Sequence, residues 1–462
     1  MPKAYSFDAS VFTHKVNKCY ALAMQTKNPF SVIHRAVWLA ILFIASSASS
    51  YTIYADEGFA EIIDAQFVRY DPDYHTHYKQ YGARLDALAS TLAELEAQGR
   101  RLYCSKQIFL EAKWLHRYTA HWDKLDDKLK RLELSFEDQD QDFANRQLPT
   151  TGLWGACYEA EFMSMGASVD ALGALSLTGQ KPRYNITADG QLNTSKKLLS
   201  LLQDLLISDI ARTGVNNRAE LSSLITTLSQ GLFKDYIREV LEGTLDFTSD
   251  SNLDWLEEAF RFFLSGAQNP ENGYWGAWYV IDGKVHKSAD LSMTYHIISY
   301  TKGKDISHWP EIITTTVAIE SEPYPYGWKF NGEFNNHNLY DAAKIFRYGW
   351  PHMEQSQRAS ISTKIESMLE WSLSNTLNPD GDFIHNPAFS DSLADEYYFG
   401  VSFLKEVGYW NPDLQFWAEP GEYEGAMELC CHIKQRLNQL DLSGWAAEGA
   451  RAKLTKSCTG CR

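Results

Sequence analysis

The chain has no Lys/Arg-rich run and no basic stripe; its 43 basic residues are outnumbered by 59 acidic ones, a formal charge of −16. That balance argues against a nucleic-acid partner, which needs a positive footprint for phosphate. It also counts against a polyanionic substrate unless a local basic cleft overrides the global field. Glycine-rich loops of Walker or Rossmann type are missing, as are a Gly-x-Ser-x-Gly elbow and a His-Glu-x-x-His pair. No cofactor and no metal are therefore expected. Strand patterns are scarce, with one candidate hairpin in Trp278–Ile281 and Lys284–His286 around Asp282-Gly283.

Long apolar runs are almost as rare. The exception is Ala36–Ala55 (AVWLAILFIASSASSYTIYA), preceded by Lys27 and Arg35 and followed by small residues. That order is the pattern of a secretory signal with cleavage near Ala48 or Ala55, or of a retained N-terminal membrane attachment. An exported protein, periplasmic or extracellular, is expected. Cleavage removes Cys19 and leaves Cys104, Cys157, Cys430, Cys431, Cys458 and Cys461, an even number suited to an oxidising compartment. Cys458-x-x-Cys461 reads as a small disulfide or, with Cys430, Cys431 and His432, as a metal-ligand set.

What is abundant is hydrophobic content (44%) and aromatic content (13%, with 14 Trp and 25 Tyr), enough for a large core. One loop recurs: Gln147-x-Pro149-x-x-Gly152-x-Trp154 and Gln268-x-Pro270-x-x-Gly273-x-Trp275, with decayed copies at Glu322-Pro323…Gly327-Trp328 and Asn378-Pro379-Asp380-Gly381. The last three starts are 54 and 56 residues apart, and the first two are 121 apart, about two periods. A turn loop at a fixed period marks a repeat architecture. Between the loops, helical periodicity covers about 158–177, 194–210, 218–230, 234–241, 252–264, 290–300, 309–319, 338–347, 355–373, 391–407 and 420–437. Ahead of them, a leucine face at Leu85–Leu95 and one long helix near Lys106–Phe136 are expected. The divisions are 1–55 as an N-terminal extension, 56–146 as a helical region, 147–437 as the repeats and 438–462 as a tail. The fold class is all-α, an α/α toroid of helical hairpins with one loop-lined cleft.

The Gln-x4-Gly-x-Trp loops resemble the QW motifs of terpenoid-cyclase and protein-prenyltransferase toroids, where Gln and Trp tie one helix end to the next. The Asp-x-Asp-Asp acid motif of triterpene cyclases is missing, so the resemblance implies architecture and not cyclase chemistry. A second resemblance is local. Asn335-Asn336-His337-Asn338-Leu339-Tyr340-Asp341 is similar to the Asn-Asn-His…Tyr segment of α/α-toroid alginate and related uronate lyases. It implies that Asn336 binds and neutralises a uronate carboxylate and that His337 removes the C5 proton. Tyr340 or a tyrosine of a neighbouring loop then protonates the departing oxygen. The downstream Arg of that family has no counterpart between Arg358 and Arg436, so Arg347, Lys329 or Lys287 has to take its place.

Each motif has a plainer reading: Asn caps helices, and His337 or His296 can be a satisfied packing residue. Asp290 heads a second cluster, Asp290–His296. Recurring loop carboxylates admit a hydrolase with Glu333 paired with Asp395 or Glu396, and Trp275, Trp278 and Trp328 are candidates to stack on sugar faces. The expected substrate is a polysaccharide or oligosaccharide. The preferred activity is a polysaccharide lyase acting by β-elimination; the alternatives are a glycoside hydrolase and a non-catalytic toroid that binds glycan, peptide or isoprenoid lipid.

Overall fold

The computed structural model describes residues 58–137, 147–177, 179–187, 194–246, 252–330, 332–386, 392–442 and 444–461. The segment Ala36–Ala55 and residues 138–146 before the first loop lie outside them. Contact density separates residues 54–280 and 287–462 from a second unit, residues 1–53 with 281–286. The helices below all belong to the former. The protein is all-α apart from short strands, and among the described residues no helix is long and apolar enough to cross a membrane.

The N-terminal region forms α1 (Phe59–Tyr70), α2 (Tyr74–Ala97), α3 (Tyr103–Tyr118) and α4 (Trp122–Ser135). Leucines at helical spacing, Leu85, Leu88 and Leu92 on α2 and Leu125, Leu129 and Leu132 on α4, close a core around Ile108 and Leu115 of α3. The single long helix expected near Lys106–Phe136 is instead two. At Thr119–Ala120 the backbone turns to pair with a distant strand-like segment: Ala120 N–H donates to Gly214 (2.8 Å) and Asn216 N–H to Tyr118 (2.9 Å). No local breaker announces this; a tertiary contact overrides helix propensity.

There follow α5 (Glu161–Leu177), α6 (Ser195–Leu206), α7 (Ile210–Thr213), α8 (Arg218–Phe233), α9 (Asp235–Thr244) and α10 (Leu253–Ala267). Then come α11 (Leu291–Thr301), α12 (Trp309–Ala318), α13 (Asn336–Gly349), α14 (Gln355–Asn375), α15 (Leu393–Glu406), α16 (Ala426–Gln439) and α17 (Trp445–Ser457). Helix α5 packs on α8, α8 on α11, α11 on α13, α13 on α15, α15 on α17, and α17 on α5. Helices α12 and α14 lie against α13, α16 against α17, and α9 against α5 and α8. The expected hairpin is present as β2 (Trp278–Ile281) and β3 (Lys284–Lys287), turning where Asp282 and Gly283 both have positive φ. Strand β2 also pairs in parallel with β1 (Ile207–Ser208).

The repeated loops work as braces. Gln147 Nε2 donates to the Gly152 carbonyl (2.7 Å) and to Tyr184 beyond α5. Gln268 Nε2 donates to Gly273 (2.9 Å) and to Ser307 beyond α11 (2.8 Å). Both glycines sit at positive φ, and a Cβ on either collides with backbone, of Asn185 or of His308 and Ile312. Trp275 Nε1 donates back to Leu264 at the end of α10 (2.7 Å). A further brace lies at Gln415 and Trp417: Gln415 Nε2 reaches Gly421 (2.7 Å), and Trp417 Nε1 the Val407 carbonyl after α15 (2.8 Å). Its glutamine spacing differs from the other two, which hid it in the sequence.

The C-terminal segment, read as a tail, contains α17. Two disulfides hold it, Cys430–Cys458 and Cys431–Cys461, so the local Cys458–Cys461 bridge is replaced and the cysteines are not available as a metal set. His432 is engaged by Asp382 (2.8 Å). A third disulfide, Cys104–Cys157, joins α3 to the first loop. Glu111 of α3 reinforces that junction by accepting from Glu159 and Ala160 N–H (both 2.6 Å) and pairing with buried Lys128 (2.7 Å).

Candidate functional site

Helix α13 starts at Asn335, whose side chain accepts from Asn338 N–H (2.8 Å) and caps the helix. The next residues point in different directions because successive helical positions differ by about 100°. Asn336 turns to α14: its Nδ2 donates to Thr376 Oγ1 (3.0 Å) and its Oδ1 accepts from Ser372 (2.7 Å). Both ends of the amide are occupied and the side chain is buried, so Asn336 ties two helices and is not placed to neutralise a substrate carboxylate.

His337 points elsewhere. Its imidazole is 31% exposed, stacks on Phe399 (centroids 3.9 Å) and lies beside the Tyr324 ring (5.5 Å). One turn further on, Asp341 is fully buried, and its Oδ2 lies 3.7 Å from His337 Nε2. Neither carboxyl oxygen has a hydrogen-bond partner. Burial, with Asp290 nearby, pushes this carboxyl well above the usual carboxylate range. The i,i+4 spacing of His337 and Asp341 is what brings them together.

Tyr340 is buried against Tyr295 of α11 (5.4 Å, edge-on), with their hydroxyls hydrogen-bonded. The neighbouring His296 makes a 3.2 Å contact from Nδ1 to the Tyr300 hydroxyl, which also accepts from Gln230 of α8 (2.9 Å). Burial, with His337 nearby, pulls the His296 imidazole down to about 3; it is neutral across ordinary pH. Lys234, the residue that ends α8, lies 4.4 Å over the Tyr300 ring. Burial draws its ammonium down to about 8 and raises Asp170 of α5, across from it, to about 6. Asp170 is exposed and His296 and Tyr300 keep some water-accessible surface, yet protein surrounds all three. That combination describes groups lining an internal cleft.

Tyr74, Tyr78, Arg117, Tyr324 and Tyr326 line a cavity of 380 Å³. A second cavity of 330 Å³ follows α8 past Ser222, Thr226 and Gln230 to Asp170, and the two share Tyr118 and Arg218. The N-terminal helices, to which sequence reasoning gave no role, thus form one wall. Sequence reasoning also missed Lys453 of α17. Its Nζ donates to Ser402 (2.6 Å) and sits 3.4 Å over the Tyr398 ring and 5.9 Å from that of Tyr340.

Several expected site residues serve architecture instead. Arg347 lies at the far end of α13, paired with Glu406 and donating to Leu414 (2.7 Å). Asp290 is fully buried, caps α11 through Met293 N–H (2.9 Å) and binds Arg218 through both oxygens (2.6 and 3.0 Å). Trp275, Trp278 and Trp328 are all buried, closed to a sugar ring. Exposed Glu333 and buried Glu396 share a separate small cavity of 220 Å³ with Asn336 and Trp371. Comparison with known families, curated proteins and solved structures gave no match.

Proposed function

We propose that the chain is an exported α/α-toroid enzyme that cleaves a uronate-containing glycan by β-elimination, with His337 as base. The toroid reading is supported by the succession of packed helices α5, α8, α11, α13, α15 and α17, which returns from α17 to α5, and by the paired glutamine braces. Three disulfides support an oxidising destination. The observation that carries the chemistry is the half-exposed His337 with a buried, hydrogen-bond-free carboxyl at its back and a tyrosine at its side.

His337 takes the C5 proton, the electron pair expels the C4 oxygen, and a phenol protonates that oxygen. Asp341 lies 3.7 Å behind the imidazole, placed to stabilise the imidazolium as that charge forms. Tyr324 is the proton donor. It belongs to the loop before α13, it is half-buried, and burial holds its hydroxyl protonated well beyond neutrality. The polar walls of hydroxyl and amide groups suit a sugar ring.

The test is a panel of uronate polysaccharides followed by the ultraviolet absorbance of unsaturated ends. His337→Ala and Tyr324→Phe are expected to lose that signal by roughly a hundredfold or more, with circular dichroism unchanged. Full activity in folded His337→Ala rules the mechanism out. Glu333 and Glu396 on one cavity support a second reading, hydrolysis, which predicts reducing ends without the absorbance and their loss in Glu396→Gln.

A further inference from the structure

A cavity of 590 Å³, larger than either of the two that share Arg218, opens between α3, α4, α5 and the start of α8. Neither His337 nor Tyr324 lines it, so it stands apart from the elimination reading. Its apolar side is Trp114 and Leu115 of α3 with Phe162 of α5, the two rings meeting edge-on at 5.3 Å. Aromatic walls with a few polar groups, at this volume, are the ordinary make-up of a small-molecule pocket. Much of the charge around it is already paired within the chain. Lys128 bridges Glu111 (2.7 Å) and Glu159 (2.5 Å), Arg131 also pairs with Glu159, and Asp127 pairs with Lys130 (3.5 Å). Glu161 of α5 and Glu220 of α8 are left over, and among the described residues no cation pairs with either. Lys124, the cavity's remaining cation, is exposed on α4. Burial, with Glu161 nearby, raises the Glu220 carboxyl above its usual range. Like charges this close disfavour each other's ionised form, and a cation joining them relieves that.

We propose that this cavity binds a small aliphatic amine, its ammonium held by Glu161 and Glu220 and its methylene stem lying along Trp114 and Phe162. Charge complementarity selects the occupant. The lining carries five carboxylates against three cations, and two of those cations, Lys128 and Arg131, are engaged by Glu111 and Glu159. An anion meets net repulsion there, and an uncharged ligand leaves Glu161 and Glu220 without a counter-ion. An ammonium satisfies both carboxylates and is attracted to an indole face as well. The stem supplies apolar surface for the aromatic side, which a bare metal ion does not. The formal charge of −16 acts in the same direction at longer range, drawing cations toward the surface. Walls contributed by four helices around a concave space suit a small molecule better than an extended protein face.

The test titrates the full folded protein, its tryptophans labelled with nitrogen-15, with 1,5-diaminopentane. The Trp114 indole N–H resonance is assigned by its disappearance in Trp114→Phe. The diamine is expected to shift that resonance saturably. The diol of the same stem, 1,5-pentanediol, and sodium chloride at equal ionic strength are expected to leave it in place. Glu161→Gln combined with Glu220→Gln is expected to weaken diamine binding about tenfold or more. Asp235→Asn removes one carboxylate at the start of α9, beyond the far end of α8, and is expected to leave binding unchanged. No shift with the diamine, an equal shift with the diol or with salt, or unchanged binding in the folded double glutamine variant overturns the site. A response to acetyl-lysine amide without one to the diamine also overturns it, in favour of a lysine side chain from another protein. None of these readouts depends on glycan cleavage, so the site and the lyase reading stand or fall separately.

Discussion

At the scale of single residues, Asp341 is the most consequential side chain. It is fully buried and has no hydrogen-bond partner, an arrangement that costs stability and persists where function needs it. The sign of its pH dependence follows from its raised acidity constant. Below the ordinary carboxyl range both folded and unfolded chains hold the proton. As pH rises the unfolded chain releases it first, so the native state loses stability until the folded-state value is passed. Asp341→Asn is expected to remove that loss, reducing the fall in unfolding free energy between pH 4 and pH 8 by at least about 1 kcal/mol. Parallel urea-unfolding curves for variant and wild type at the two pH values contradict this. The sequence showed His337 in a polar cluster entering a helix, but neither Asp341 as its buried neighbour one turn on nor that Asn336 faces α14, because tertiary packing decides both. Lys453 was invisible because no local pattern separates an inward lysine from a solvated one.

At the scale of elements, the braces and staples determine how well the inner helices are placed. Gln268 satisfies the buried carbonyl of Gly273 and the carbonyl of Ser307 beyond α11. Gln268→Ala is expected to cost about 1–3 kcal/mol, read as a lower urea midpoint; an unchanged midpoint removes the brace from the account. The disulfides Cys430–Cys458 and Cys431–Cys461 hold α17, which carries Lys453. Mild reduction is expected to speed amide exchange in residues 445–457 ahead of α11 and α13. Exchange that rises uniformly counts against this tethering. Most helices were legible from periodicity, and the braces from the two intact Gln…Gly…Trp loops. The break at Thr119–Ala120 and the ordered α17 were not, since both depend on partners distant in sequence: the Gly214 carbonyl for one, paired cysteines and packing on α15 for the other.

At the scale of the whole molecule, the all-α class follows from the scarcity of strand patterns and the repeating loop, and the structure agrees. Helices α11 and α13, each following one of the recurring loops, pack together. The repeat misassigned the aromatic residues: Trp275, Trp278 and Trp328 are buried, and the tyrosines lining the cavity at Arg117 come partly from the N-terminal helices. Period and composition cannot distinguish a ring that packs from a ring that contacts a ligand. The central claim is that this cleft breaks a uronate linkage by elimination, and the reaction's oxygen balance tests it most directly. Digestion of a uronate polysaccharide in heavy-oxygen water, followed by mass spectrometry, should give unsaturated fragments without the label. Fragments carrying one heavy oxygen per cleavage, or retained glycan binding with no cleavage across the panel, contradict the account.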